Sequence, residues 1–263
     1  MKRRVLVGQV HGFTRRALAL ATLMAAAGAL AQELDPKDLE NRVDYAYFTE
    51  DAATLRNLIR EARTTLAKSS PDGAAHYALG FANYRLGAVL AAKEPGAAAS
   101  AMSACVDALD DAIDADEQSA EAHALQGACL GQLAALRPIG AMVSGPRSSS
   151  RLEKAVKLAP QNPRVVLLGA LAEYSKPRSF GGDKAAGLAK LRRAAELFDQ
   201  AAALSEVSVP GWGHADAQAA LGRGLLEAGD TLGARNALER ALILAPEFAT
   251  ARRLLAQVGG TPR

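Results

Sequence analysis

Apolar and small residues recur along most of the chain at intervals of three and four, the spacing of one face of an α-helix. A clear example lies between residues 36 and 69, where Leu55, Leu58, Ile59, Ala62 and Leu66 share one face. No window shows the strict alternation, the β-branched residues and the hairpin turns that indicate strands. The pattern therefore predicts an almost wholly α-helical protein.

The 34 residues from 215 to 248 carry the most regular pattern of small, bulky and proline positions. Gly222 and Ala234 are small enough to let two antiparallel helices touch, and the leucines between them would fill the seam. Gly229 and Asp230 provide a turn between the two helices. The pattern positions are, in order, Gln218, Leu221, Gly222, Leu225, Ala234, Leu238 and Pro246.

This spacing resembles the tetratricopeptide repeat (TPR), a unit of 34 residues that forms two antiparallel helices. The resemblance implies an all-α, TPR-like right-handed helical solenoid. Weaker copies of the second-helix ending occur at residues 152–160 and 105–115, and first helices are expected to begin near Gly73, Ala120, Pro163 and Ala215. The sequence thus predicts about four degenerate repeats.

The repeats are not evenly spaced. Equivalent positions at His76, His123, Val166 and Gln218 are 47, 43 and 52 residues apart, which indicates inserts of 13, 9 and 18 residues. We place these inserts around 88–104, 137–147 and 176–184. A solenoid also needs polar-faced ends, and we expect a helix within 36–69 and another within 248–258 to cap one domain at residues 32–263.

Residues 1–31 have the features of a signal peptide. Five basic residues precede an apolar or small run from Ala17 to Ala31, and Ala29-Leu30-Ala31 has the small-x-small form of a cleavage site. The run is short for a membrane span, so we expect export to the periplasm or beyond and no membrane span in the mature chain. Arg15 and Arg16 leave Sec and twin-arginine export both open.

Removing this segment changes the charge. The whole chain has 31 basic and 28 acidic residues, and the mature chain would keep 26 and 28, a net charge near −2. A nucleic-acid partner requires a basic surface. The sequence therefore argues against nucleic-acid binding.

The chain has two cysteines, Cys105 and Cys129. They lie at equal distances from the expected turn near Glu117, so we expect them at the same height of a helical hairpin. A disulfide there would stabilise the fold by about 2 to 4 kcal/mol. Two buried free thiols are the alternative, and the sequence leaves both open.

The TPR resemblance implies that one stripe of each first helix lines a concave groove. Exposed aromatic and arginine side chains on such a wall suit the recognition of a peptide or an acidic tail. Burial of Tyr77 and Phe81 under the N-terminal helix or the inserts is the alternative. The stripe comprises Tyr77, Phe81, Tyr84, Arg85, Arg164, Leu167, Leu171, Tyr174 and Arg223.

Three segments outside the helices contain further candidates. In 176–184, where Phe180 is also a binding candidate, the N–H groups around Gly181, Gly182 and Asp183 could bind an anion with added charge from Arg178 and Lys184. A turn with Asp183 as helix cap is the simpler interpretation. Trp212 is the chain's single tryptophan, and either packs its loop onto the core or contacts a ligand. Residues 137–150, rich in glycine and proline, are expected to form a flexible lid or edge loop.

Signals of catalysis are weak. The aspartates between 107 and 116 lack the order of a calcium loop, and a solvated helix face explains them. His76 and His123 occupy seam positions, where packing is the expected role. No nucleophile, metalloprotease or nucleotide-binding motif is present. We expect no enzymatic activity, no metal and no cofactor.

The segment with Pro177 and Gly181-Gly182-Asp183 is also similar to the periplasmic repeat lipoproteins of the TRAP-transporter T-component family. The chain lacks that family's lipid-anchor cysteine. Two functions follow as expectations. The first is a scaffold that recognises an envelope protein or peptide through the groove. The second is a small-solute-binding accessory protein of a transporter, with the inserts closing a cavity.

Overall fold

The computed structural model describes residues 35–67, 72–204 and 211–259. These ranges form eleven α-helices and two short 3₁₀ turns, with no strand among them. The predicted signal peptide lies outside the described residues. The helices are α1 Pro36–Phe48, α2 Ala52–Leu66, α3 Gly73–Leu90, α4 Pro95–Ala115, α5 Ala120–Leu136, α6 Ala141–Leu158, α7 Pro163–Ser175, α8 Lys184–Leu204, α9 His214–Glu227, α10 Thr231–Leu244 and α11 Ala249–Gly259.

Short polar side chains define where many of these helices begin. The carboxylate of Asp35 accepts hydrogen bonds from backbone N–H groups at the start of α1, and Asn162 does the same at the start of α7. Asp51 and Asp230 cap α2 and α10 in the same way. Such caps satisfy N–H groups that have no partner within the helix.

Four helical hairpins follow one another: α3 with α4, α5 with α6, α7 with α8, and α9 with α10. The prediction of an all-α, TPR-like fold is confirmed. One position in each first helix must be small, because the facing helix contacts it directly. A Cβ atom added at Gly80, Gly127 or Gly222 would lie 2.7, 2.8 or 2.6 Å from the Cγ atom of a leucine on the partner helix.

Most of the predicted inserts are not loops. The extra residues lengthen the helices, so that α4 and α8 have 21 residues each where α9 and α10 have 14. Residues 88–104 belong largely to α3 and α4. The expected lid at 137–150 is wrong as well: a 3₁₀ turn is followed by α6, which contains Pro146. Only residues 176–183 form a loop with one short turn.

The N-terminal segment forms two helices instead of one. They are separated at Glu50, which has the positive φ of 57° that non-glycine residues rarely adopt. α11 provides the expected C-terminal cap. The two ends of the array also meet: Phe48 packs against Phe248 with ring centroids 4.5 Å apart, and the Thr250 hydroxyl donates to Glu50.

The two cysteines face each other across the seam between α4 and α5. The structure joins Cys105 and Cys129 by a disulfide, with their Cα atoms 6.4 Å apart. Both residues are fully buried in the core. The bridge links the second helix of one hairpin to the first helix of the next.

Candidate functional site

A partly enclosed cavity of about 100 Å³ lies on the concave side of the solenoid. Its walls come from α1, α3, α7, α9 and α11, together with the segment before α9. Aromatic rings and leucines dominate the walls, and two arginines interrupt them. The lining residues are Tyr47, Tyr84, Arg85, Ala88, Leu167, Leu168, Leu171, Trp212, Asp216, Ala219, Ala220, Arg223, Phe248, Thr250 and Leu254.

Arg85 lies at the wall of this cavity and is only 3% exposed. Two carboxylates from distant parts of the chain hold its guanidinium. Asp44 of α1 accepts from Nε and Nη2, and Asp216 of α9 accepts from both terminal nitrogens at 2.7 Å. The Tyr47 ring covers one face, 4.0 Å from the guanidinium carbon. Arg85 thus joins α1, α3 and α9.

This cluster carries one positive group and two acidic ones. Burial raises the pKa of Asp44 to about 7, against the attraction of Arg85 and with further repulsion from Asp216. Burial opposes the charge of Arg85, yet Asp216 and Asp44 hold its pKa well above the ordinary value. The protonated form of Asp44 is therefore favoured below about pH 7.

Trp212 packs its segment onto the first helices. It is buried and stacks on Phe81 of α3 with ring centroids 5.0 Å apart. Its backbone carbonyl accepts a hydrogen bond from Arg164 Nε, and the Arg164 guanidinium lies over the ring. The ring also forms part of the cavity wall. Trp212 therefore packs its segment onto the core, and its position in the wall is also compatible with contact to a ligand.

Arg223 of α9 is the second arginine of the cavity. Its Nε atom is buried and has no hydrogen-bond partner. Glu227, one turn further along α9, would be the usual ion-pair partner. Its carboxylate instead accepts from the Tyr174 hydroxyl at 2.7 Å and from Lys184 Nζ at 2.9 Å. Arg223 therefore lines the cavity, and its buried Nε atom is left without an acceptor.

The predicted groove stripe is placed in part as expected. Tyr84, Arg85, Leu167, Leu171 and Arg223 line the same cavity. The expectation of exposed side chains is wrong, because most of the stripe is buried where the ends of the array meet. Phe81 is buried and Tyr77 is partly buried, as the alternative interpretation of these two residues predicts.

The other stripe residues have structural partners. The Tyr77 hydroxyl lies 3.4 Å from Glu121, and Arg164 forms an ion pair with the same carboxylate at 2.8 Å. Tyr174 is buried and bonds Glu227. These side chains connect successive first helices around the cavity and do not form its wall.

The loop at 176–184 does not reach the cavity. Asp183 accepts hydrogen bonds from the N–H groups of Ala185 and Ala186, so it caps α8, and Gly181 has φ 82°. Arg178 is exposed and Phe180 is 71% exposed. Lys184 pairs with Glu227. The capping role, and not an anion site, matches this geometry.

The aspartates of α4 and the seam histidines show ordinary structural contacts. Asp110 accepts from Gln126, and Asp111 lies 3.3 Å from His76 Nδ1. His123 is buried, and this burial lowers its pKa. Within the described ranges, no three histidine, cysteine or acidic side chains are grouped as a metal site would require.

Among the site residues that sequence reasoning missed are Asp44, Tyr47, Asp216 and Phe248. They lie in α1, at the start of α9 and just before α11. Each is far in sequence from Arg85, and no local pattern brings them together. The aromatic residues near the end of α1 were the one available signal, since two aromatics follow Tyr45 within three positions.

The fold and the cavity define the class: a TPR-like helical solenoid with a partly enclosed cavity on its concave side. The HusA haemophore from Porphyromonas gingivalis is similar in structure, with a TM-score of 0.57, 22% identity, and coverage of 74% of this chain and 96% of that one. A thermophilic TPR protein of Thermus thermophilus has a TM-score of 0.54, 15% identity, and coverage of 85% and 98%. At these identities the likeness concerns the fold alone.

No protein-family model matches the chain, and the curated proteins contain no match. None of the described helices is long and apolar enough to cross a membrane.

Proposed function

We propose that this protein is a non-enzymatic binding protein of the cell envelope that holds a small solute in its concave cavity. The observation that carries the proposal is the cavity itself, which has aromatic and leucine walls and a few polar groups. Ligand sites commonly have this composition. The ends of the array meet at this cavity and partly enclose it.

The cavity volume limits the ligand. At about 100 Å³ it is smaller than the roughly 300 to 1,000 Å³ typical of sites for drug-sized molecules. A solute of few non-hydrogen atoms would fit without rearrangement. The structural neighbour named a haemophore suggests a larger flat ligand, but a haem would require α1 to separate from α9 and α11.

The cellular setting is part of the proposal. The basic residues and the apolar run within 1–31 support export, and the loop at 176–184 supports an accessory role beside a transporter. Solute delivery to a transporter would use a cavity that opens and closes. Export can be checked by determining the N-terminal residue of the protein isolated from its own cells.

Trp212 makes the proposal testable, because it is the chain's single tryptophan and lies in the cavity wall. Uncharged probes such as toluene, 3-methylbutanol and 3-methylbutanamide should change its fluorescence in a saturable way. Ala220→Leu, which adds bulk to the cavity wall, should abolish the change.

Ala228→Leu is the matched control, since Ala228 is exposed at the end of the same helix. This variant should respond to the probes as the unmodified protein does. If no probe, charged or uncharged, changes the emission of the unmodified protein, or if Ala220→Leu responds equally, the cavity is not a solute site.

Recognition of an envelope protein or peptide through the groove is the second candidate. The types of residue in the wall favour it, because tyrosine, tryptophan and arginine dominate the binding energy of many interfaces. Tyr47, Tyr84, Trp212, Arg85 and Arg223 are all of these types. This function requires the contacts between α1 and α11 to open.

A further inference from the structure

We infer that the solute carries a carboxylate and that Arg223 is the residue that binds it. The inference rests on the proposed function and gives its ligand a chemical class: a small monocarboxylate with an apolar body. The evidence is the distribution of charge partners around the cavity.

The arginines near the cavity are not equivalent. Arg85 donates to Asp44 and Asp216, and Arg164 donates to Glu121 and to the Trp212 carbonyl. Their carboxylate partners come from within the protein. Neither is left with an unmatched charge to offer a ligand.

Arg223 differs from both. Among the described residues it forms no ion pair, and its buried Nε atom has no acceptor. A buried donor without a partner costs free energy unless something satisfies it. Guanidinium groups bind carboxylates through two parallel hydrogen bonds. A ligand carboxylate bound to the guanidinium from the cavity would supply the charge partner that Arg223 lacks.

The unpaired state of Arg223 has a structural cause. Glu227 is kept away by Tyr174 and Lys184, two residues that do not line the cavity. Lys184 therefore acts as a positioning residue, since it holds the competing carboxylate. Replacing it should let Glu227 pair with Arg223 and compete with a ligand.

The rest of the wall suits an apolar body. Leu167, Leu171, Ala220 and Leu254 surround the space, and the small volume favours a short or branched chain. The pair 3-methylbutanoate and 3-methylbutanamide is a suitable probe set. The two molecules have nearly the same shape and differ in charge.

The test is titration of the full chain with both probes, followed by Trp212 fluorescence and by calorimetry. We expect the acid to bind about 10- to 100-fold more tightly than the amide, the range of a charge-assisted hydrogen bond. Arg223→Gln should remove this preference, so that acid and amide bind with similar affinity. Arg235→Gln, on the exposed face of α10, should preserve it.

Lys184→Ala gives an independent measurement, because it leaves the cavity wall intact. It should weaken acid binding several-fold and leave amide binding unchanged.

Arg223→Lys replaces Arg223→Gln if the latter does not fold. It should lose most of the preference for the acid, because lysine lacks the planar pair of donors.

The possible failures are distinct. Equal binding of acid and amide to the unmodified protein overturns the inference about the carboxylate and leaves the solute site standing. A full acid preference in Arg223→Gln or Arg223→Lys overturns the role of Arg223. Absence of binding by both probes overturns the solute site and this inference with it.

Discussion

Arg85 was expected to contact a ligand, and its neighbours give it a different role. It lies between Asp44 and Asp216, and the Tyr47 ring covers it. Breaking a buried pair by removing one partner commonly costs about 3 to 5 kcal/mol. Arg85 therefore stabilises the closed arrangement, and the unpaired Arg223 is the better candidate for a ligand.

Asp44 predicts a pH dependence at the residue scale. Burial raises its pKa from 3.8 to about 7, so between these values the folded state binds a proton that the unfolded state releases. The free energy of unfolding should therefore fall as the pH rises from about 4 to about 7. Asp44→Asn should remove this contribution, which is at most about 4 kcal/mol.

The measurement is urea unfolding of the unmodified protein and Asp44→Asn at several pH values between 5 and 8. Other carboxylates titrate in both proteins, so their effects cancel in the difference. The free energy of unfolding of the unmodified protein should fall relative to that of Asp44→Asn as the pH rises. Parallel stability profiles would show that Asp44 has an ordinary pKa.

At the scale of the elements, close contact between paired helices depends on one small residue in each first helix. Gly80, Gly127 and Gly222 occupy this position, and Ala170 occupies it in α7, four residues after the matched positions of the sequence pattern. The facing Leu109 and Leu238 are buried, and Leu152 is partly buried. The repeat register was therefore correctly predicted, although helix lengths were not.

Gly222→Ala tests this packing. Its new Cβ atom would lie 2.6 Å from the Cγ atom of Leu238, so we expect a loss of about 1 to 3 kcal/mol in unfolding free energy. Gly169→Ala in α7 is the matched control, since its Cβ atom would have no neighbour within 4 Å. That change should gain about 0.5 to 1 kcal/mol through helix propensity.

Chemical denaturation of both variants gives the two free energies. A gain of stability in both variants would mean that the helix pair tolerates a methyl group at residue 222, and that Gly222 reflects no packing constraint.

At the scale of the molecule, the decisive feature is that the first and last helices meet. Phe48 and Tyr47 contact Phe248, and Glu50 bonds Thr250 and Arg253. The exposed ion pair adds little to stability, whereas the buried rings contribute more. Because of this contact the concave face forms a partly enclosed cavity and not an open groove. A cavity favours a small solute, whereas an open groove would favour a protein or peptide.

Spin labels at Tyr45→Cys and Gln257→Cys test the closure. Both positions are exposed, one on α1 and one on α11. The chain has no other free cysteine to react, because Cys105 and Cys129 are joined. We expect a narrow distribution of distances between the two labels when Phe248 is present, and a broader one when Phe248→Ala is added.

A broad distribution in the unmodified background would mean that the ends separate readily. That result would contradict the closed cavity and would favour recognition of a protein or peptide through an open groove.

The sequence by itself determined the helices, their pairing and the register of the repeats. These features depend on local periodicity, on caps such as Asp230 and Asn162, and on small residues at fixed spacing, all of which can be read within one repeat. It also identified five of the residues that line the cavity, because a TPR-like first helix presents a known stripe to the concave side.

Only the tertiary structure decided what that stripe faces. Whether Arg85 meets Asp44 and Asp216, or whether Glu227 leaves Arg223 unpaired, depends on how strongly the solenoid curls over many repeats. Small rotations between hairpins add up to this curvature, and no short segment encodes them. The pairing of charges across the cavity, and with it the candidate ligand site, therefore emerges only in the folded chain.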